Sequence, residues 1–188
     1  MTVSLSERQA QDLIDATRFA ASTGLAFNRM TTVHWEAAGV ADPLRAIATF
    51  ITALRKSIAE VGGPFAYVWV RENGPGKGEH WHLLWHGPKR VPLLRRSRRL
   101  LAACGAKRRA DICLTRSIGR ALSRAESGDD DYLVNLDEAL DYVLKTANDA
   151  ARKRLGIKRR ESGGPIIGRR SCASQNIGPA ARAKKGSE

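Results

Sequence analysis

PFAYVWVRENGPGKGEHWHLLWHG (residues 64–87) reads as two strands joined by a glycine-rich turn, and the rest of the chain organises around that hairpin. PFAYVWVRE (64–72) is dense in aromatic and β-branched residues, NGPGKGE (73–79) supplies the turn, and HWHLLWH (80–86) alternates again. Period-two alternation sends Trp81, Leu83 and Trp85 to one face of the second strand and His80, His82, Leu84 and His86 to the other. On the first strand Ala66, Val68, Val70 and Glu72 share a face, and the turn brings Glu72 beside the histidines.

Outward from the hairpin, Asp42 followed by Pro43 is an N-cap with proline at the first helical position. Leu44, Ile47, Ile51, Leu54 and Ile58 then recur at helical steps until Gly62, Gly63 and Pro64. LAFNRMTTVHW (25–35) reads as the first strand, and residues 5–22 as a peripheral helix with Ser6 and Gln9 in a capping-box arrangement. Residues 95–104 read as helix, DICLTRSI (111–118) as strand, ESGDDD (126–131) as an acidic loop and 136–153 as a final helix capped by Asn135. This order predicts an α+β domain, a mainly antiparallel β-sheet flanked by helices, over residues 1–155. Residues 156–188 form a basic Gly/Arg/Lys-rich tail, expected to be mobile or to order only on a partner.

The 188 residues carry 32 Lys plus Arg against 19 Asp plus Glu, a net +13, and the excess is localised. Residues 1–88 hold 8 basic and 8 acidic side chains, 89–124 hold 12 and 1, 125–144 hold none and 7, and 145–188 hold 12 and 3. Two such basic blocks suit an anionic polymer that releases counterions on binding, which favours nucleic acid. Arg95, Arg96, Arg98 and Arg99, with Lys107, Arg108 and Arg109, are the expected DNA-backbone contacts. The leucines of 89–109 leave a membrane-surface helix as the alternative, against which stands the lack of an aromatic anchor. No apolar run reaches the length of a membrane span and the N-terminus lacks a signal pattern, so the expected setting is cytoplasmic, with no membrane partner. Cys104, Cys113 and Cys172 are odd in number and without a CxxC pair, which argues against a disulfide framework or a cysteine-rich zinc site.

Two imidazoles at i and i+2 on a strand form a bidentate platform for a divalent metal, and a carboxylate completes it. Mixed His and carboxylate ligation with open positions suits Mg²⁺, Mn²⁺ or a catalytic transition metal better than a closed structural zinc site. Glu72 is the candidate third ligand, with His34 and His86 as alternatives. On the last helix Leu136, Ala139, Leu140, Val143 and Ala147 make the apolar stripe, while Tyr142 falls on the polar side with Glu138, Lys145 and Asp149. A phenol there, with an ammonium one turn away, suits nucleophilic attack at phosphate. Tyr132, in the acidic DDDYLV segment, is the rival nucleophile.

WVRENGPGKGEHWHLLWHGP (69–88) and LDYVLKT (140–146) together resemble the HUH endonucleases, in particular the single-tyrosine rolling-circle replication initiators of phages and plasmids. The resemblance spans about 65–150 and implies a Rep-like sheet of ferredoxin or RRM type. It implies that His80 and His82 bind Mg²⁺ or Mn²⁺ with Glu72, and that Tyr142, with Lys145 as its helical companion, cleaves single-stranded or hairpin origin DNA. The break leaves a 5′-phosphotyrosine and a free 3′-OH. No GxxxxGK[ST] phosphate loop is present, so strand separation would fall to a host helicase, with a host polymerase extending the 3′ end. Two rivals stand beside this reading: a non-catalytic nucleic-acid-binding protein or regulator, and a metal-dependent phosphodiesterase that uses activated water and forms no adduct.

Overall fold

The protein is described by a computed structural model covering residues 1–91, 93–107, 111–119, 122 and 124–186, by backbone alone at 93–96 and 126–127. In chain order the elements are α1 (Glu7–Ser22), β1 (Arg29–His34), α2 (Pro43–Ala59), β2 (Ala66–Gly74), β3 (Gly78–His86), α3 (Leu93–Ala103), β4 (Cys113–Ser117), α4 (Arg124–Ser127), α5 (Asp130–Leu144), α6 (Asp149–Leu155), β5 (Ser171–Ala173), a 3₁₀ turn (Gln175–Ile177) and α7 (Pro179–Lys185). The five strands form one antiparallel sheet in the order β4-β1-β3-β2-β5. Its first four strands, with α2 and α3 as crossovers, have the β-α-β-β-α-β connectivity of ferredoxin-like domains.

The alternation read in β3 divides the molecule into layers. Trp69, Trp81, Leu83 and Trp85 pack with Val33 under Ile47, Phe50, Leu54 and Ile58 of α2 and Leu100 of α3. On the opposite face Ala66, Val68, Val70 and Leu84 pack under Leu13 of α1, Leu136 and Val143 of α5 and Ala151 of α6. Both faces of the central hairpin are therefore covered, and His80 and His82 lie in an interior rather than on a wet surface. Ser6 and Gln9 form the expected capping box on α1, and Asp42 caps α2.

Three expectations need correction. The helix expected over 136–153 is two helices, because Leu5 donates its N–H to the Thr146 carbonyl and accepts from Asn148 N–H, each at 3.0 Å. That bridge stops α5, and Asn148 starts α6 by accepting from Ala151 N–H at 2.8 Å. Asn135 is inside α5, whose cap is Asp129, so the last residues of the expected acidic loop form the first helical turn. There the carboxylates complement the helix dipole.

The segment after Gly156 folds onto the domain. Val68, Trp69 and Val70 pair with Ala173, Cys172 and Ser171, so β5 is the sheet edge beyond β2. The buried Arg170 guanidinium donates to the carbonyls of Arg71, Gly163, Gly164 and Thr2, tying both termini to the hairpin. Gly164 is left-handed (φ +58°) and passes so close to Asn73 that a Cβ would collide with its carbonyl. Buried charge satisfaction at Arg170, which no periodicity reveals, turns a basic sequence into a folded one.

Candidate metal centre

The hairpin register places Glu72 directly opposite His80, with Val70 opposite His82. Gly78 adopts φ +61° at the tip, and any side chain there would strike the Glu36 carboxylate, which accepts from Glu79 N–H at 3.0 Å. The turn is thus tight enough to align the two strands to their ends. Glu72, His80 and His82 are each no more than 2% exposed, and one ligand atom from each lies within 4.8 Å of the others. This group can hold a metal ion.

The rings are oriented from behind. The Gly78 carbonyl can only accept, so a neutral His80 donates Nδ1–H to it (2.8 Å) and turns Nε2 toward Glu72 Oε2 at 3.3 Å. His82 Nδ1 bonds Thr32 Oγ1 at 2.8 Å and turns its Nε2 toward the same carboxylate oxygen at 3.6 Å. Two imidazole lone pairs and a carboxylate face one another, an arrangement that asks for a cation. Among the described residues, the cation there is Lys145. Its Nζ lies 2.7 and 2.6 Å from the two Glu72 oxygens and 3.2 Å from His82 Nε2.

Lys145 is the C-cap of α5 rather than a member of its polar face, and it is fully buried. Its ammonium passes beneath the Tyr142 ring, 4.1 Å from the centroid, on its way to Glu72. Tyr142 is half-buried and stands edge-on to His82 with centroids 4.9 Å apart. The structure therefore gathers Glu72, His80, His82, Tyr142 and Lys145. Burial pushes the Tyr142 phenol up, the charges of Glu72 and Glu161 act the same way, and Lys77 and Arg159 oppose them. Burial would raise Glu72, but the two facing histidines and the charge of Lys145 hold it well below the carboxylate range. Burial likewise lowers Lys145, opposed by Glu72.

The alternative ligands lie elsewhere. His86 donates Nδ1–H to the Ala26 carbonyl at the far end of β3. His34 stacks on His80 with centroids 5.1 Å apart but is outside the converging group. Tyr132 is not in a loop: it is buried in the first turn of α5, and its hydroxyl donates to the Phe27 carbonyl at 2.8 Å. Among the described residues, the helix that carries most of the expected DNA contacts lies on the other side of the sheet. Arg95, Arg96, Arg98 and Arg99 are on α3, in the tryptophan layer, where Arg98 and Arg99 are exposed. Lys107 is exposed and donates its N–H to Ala38, while Arg108 and Arg109 lie outside the described residues.

Sequence reasoning missed Thr32, which only the β1–β3 register brings to His82. It also missed Arg159, a tail residue whose guanidinium lies 5.5 Å from the Tyr142 ring centroid. A groove of about 710 Å³ opens beside the hairpin tip, lined by Glu36, Asn73, Lys77, Ser162 and Pro165. Comparison with protein-family models, curated proteins and solved structures found no match. No helix among the described residues is long and apolar enough to cross a membrane.

Proposed function

We propose that this protein nicks and rejoins single-stranded DNA through Tyr142, with Mg²⁺ or Mn²⁺ held by Glu72, His80 and His82. This is the activity of an HUH endonuclease initiating rolling-circle replication or mobilisation of a phage, plasmid or transposon. The observation that carries the reading is the placement of Tyr142 against His82, at the side of a triad whose lone pairs converge. A divalent ion bound there would polarise a phosphodiester and offset the charge that develops on it. The Gly78 carbonyl sets the tautomer of His80 and Thr32 holds the His82 ring from behind, so their Nε2 atoms are presented without rearrangement.

Tyr142 contributes the nucleophile. Its phenolic oxygen bonds to phosphorus, the bond from phosphorus to the 3′ oxygen breaks, and the phenol's proton ends on that oxygen. The products are a 5′-phosphotyrosine and a free 3′-OH, and the reverse step rejoins the strand. Arg159 and Lys77 are cations from outside the cluster whose charge reaches the phenol, and they are suited to meeting the phosphate backbone. Single-stranded or hairpin origin DNA is the proposed substrate, with host helicase and polymerase as partners. The test is incubation with a pool of single-stranded oligonucleotides and Mn²⁺, followed by a denaturing gel. A protein–DNA adduct that disappears in Tyr142→Phe is expected. Cleavage without an adduct would replace this reading with hydrolysis by water, and binding without either would favour a non-catalytic regulator.

A further inference from the structure

A lysine at 0% exposure whose ammonium touches two of three candidate metal ligands is an unusual neighbour for a metal site. A divalent ion and this ammonium compete for the same atoms, Glu72 Oε2 and His82 Nε2. Coordination at ordinary metal–ligand distances of roughly 2.0–2.2 Å leaves no room for a nitrogen at hydrogen-bond distance from both. The repulsion between the two cations acts in the same direction.

We infer that Lys145 is a tethered cation that fills the metal seat in the metal-free protein and withdraws toward Tyr142 when a divalent ion enters. This rests on the reading of Glu72, His80 and His82 as metal ligands. The geometry gives the withdrawal a direction. Nζ already lies under the Tyr142 ring, and Tyr142 is half-buried where the other four members of the cluster are buried. The aliphatic stem, anchored where α5 ends, can swing while its backbone stays fixed. The Lys145 N–H is held by Tyr142 O and its carbonyl accepts from Glu161 N–H.

Charge arithmetic supports the exchange. The resting cluster pairs one ammonium with one carboxylate and is neutral. A divalent ion in the seat raises the net charge to +2, and the displaced ammonium brings its share of that charge toward the phenol. An approaching phosphodiester and the developing phenolate are the anions that balance it. Metal entry thereby moves a positive charge to the nucleophile, and the resting protein avoids burying an unpaired carboxylate. The same exchange makes metal and single-stranded DNA bind cooperatively, each favouring the withdrawn position of Lys145.

Two measurements test this on the full chain. The first is the affinity for Mn²⁺, read from the free-ion EPR signal, in the wild type and in Lys145→Met. Hydrogen bonds between charged groups are worth about ten- to hundredfold net, so the variant is expected to bind Mn²⁺ at least about tenfold more tightly. The second uses the wild type alone: Lys145 should resist acetic anhydride in EDTA and become acetylated in saturating Mg²⁺, as located by peptide mass spectrometry. Equal or weaker Mn²⁺ binding in Lys145→Met, or labelling that does not rise with metal, overturns the inference while leaving the metal centre in place. If the variant does not fold, the labelling decides. Absence of Mn²⁺ binding in both proteins overturns the metal centre itself, and the cluster is then a closed internal ion pair.

Discussion

On β3, Trp81 and Trp85 alternate with His80 and His82, so one backbone serves two buried faces of opposite character. On the tryptophan face Trp35, Trp69, Trp81 and Phe50 meet ring to ring, with centroids 5.6–6.4 Å apart, and α2 seals them with aliphatic side chains. Among the described residues, the indole N–H groups of Trp35 and Trp81 have no hydrogen-bond partner. On the histidine face a carboxylate, an ammonium and two imidazoles are buried to the same degree, each with a named partner. Equal burial thus has different consequences: one face stabilises by excluding water, and the other gathers ionisable groups at the cost of dehydrating them.

The sharpest way to separate the faces is at the phenol. Tyr142→Phe should lower strand cleavage by at least about three orders of magnitude, measured with labelled single-stranded DNA, while its melting temperature stays close to that of the wild type. His80→Ala with His82→Ala should abolish metal-dependent cleavage yet leave salt-sensitive DNA binding largely in place, measured by fluorescence anisotropy across a salt series. Equal loss of binding would mean that the histidine face also shapes the DNA surface.

Trp81→Ala should destabilise by about 3–5 kcal/mol in urea denaturation without changing Mn²⁺ affinity in the folded protein. Glu72→Gln leaves Lys145 buried without its counter-charge and should cost about 3 kcal/mol, much of it recovered when Lys145→Met is added. If the double substitution is no better than the single one, the pair is not the closed unit that its geometry indicates.

The smallest effect concerns pH. In EDTA, burial drives His82 down to about 4, so the unfolded chain takes up this proton first as the solution acidifies. The contribution of His82 to stability is complete above about 6.5 and is lost as pH falls through about 4. The urea midpoint of the metal-free protein should decline across that interval, and less steeply in His82→Asn.

The hairpin was legible because strand alternation is a local property: the residues that set each face of β3 are two apart in sequence. Glu72 was legible for the same reason, since a short turn leaves little freedom in the register. The break between α5 and α6 was hidden because it comes from Leu5, more than 140 residues away, rather than from any helix breaker in LKTAND. Lys145 sits at a helical spacing from Tyr142 that suggested an exposed pair, and only the packing of α5 over β2 and β3 turns it inward. Residues 156–188 were read as a tail because their composition is polar. Their order comes from backbone pairing at β5 and from the carbonyls around Arg170, which leave little trace in hydropathy.

Anomalous diffraction from crystals of the full chain grown with Mn²⁺ would decide whether the histidine face of the sheet is a metal centre serving Tyr142. One strong anomalous peak is expected, bounded by Glu72, His80 Nε2 and His82 Nε2, on the side of the cluster that Tyr142 flanks. A cluster without a peak under saturating Mn²⁺, with Lys145 still bonded to Glu72, would contradict it.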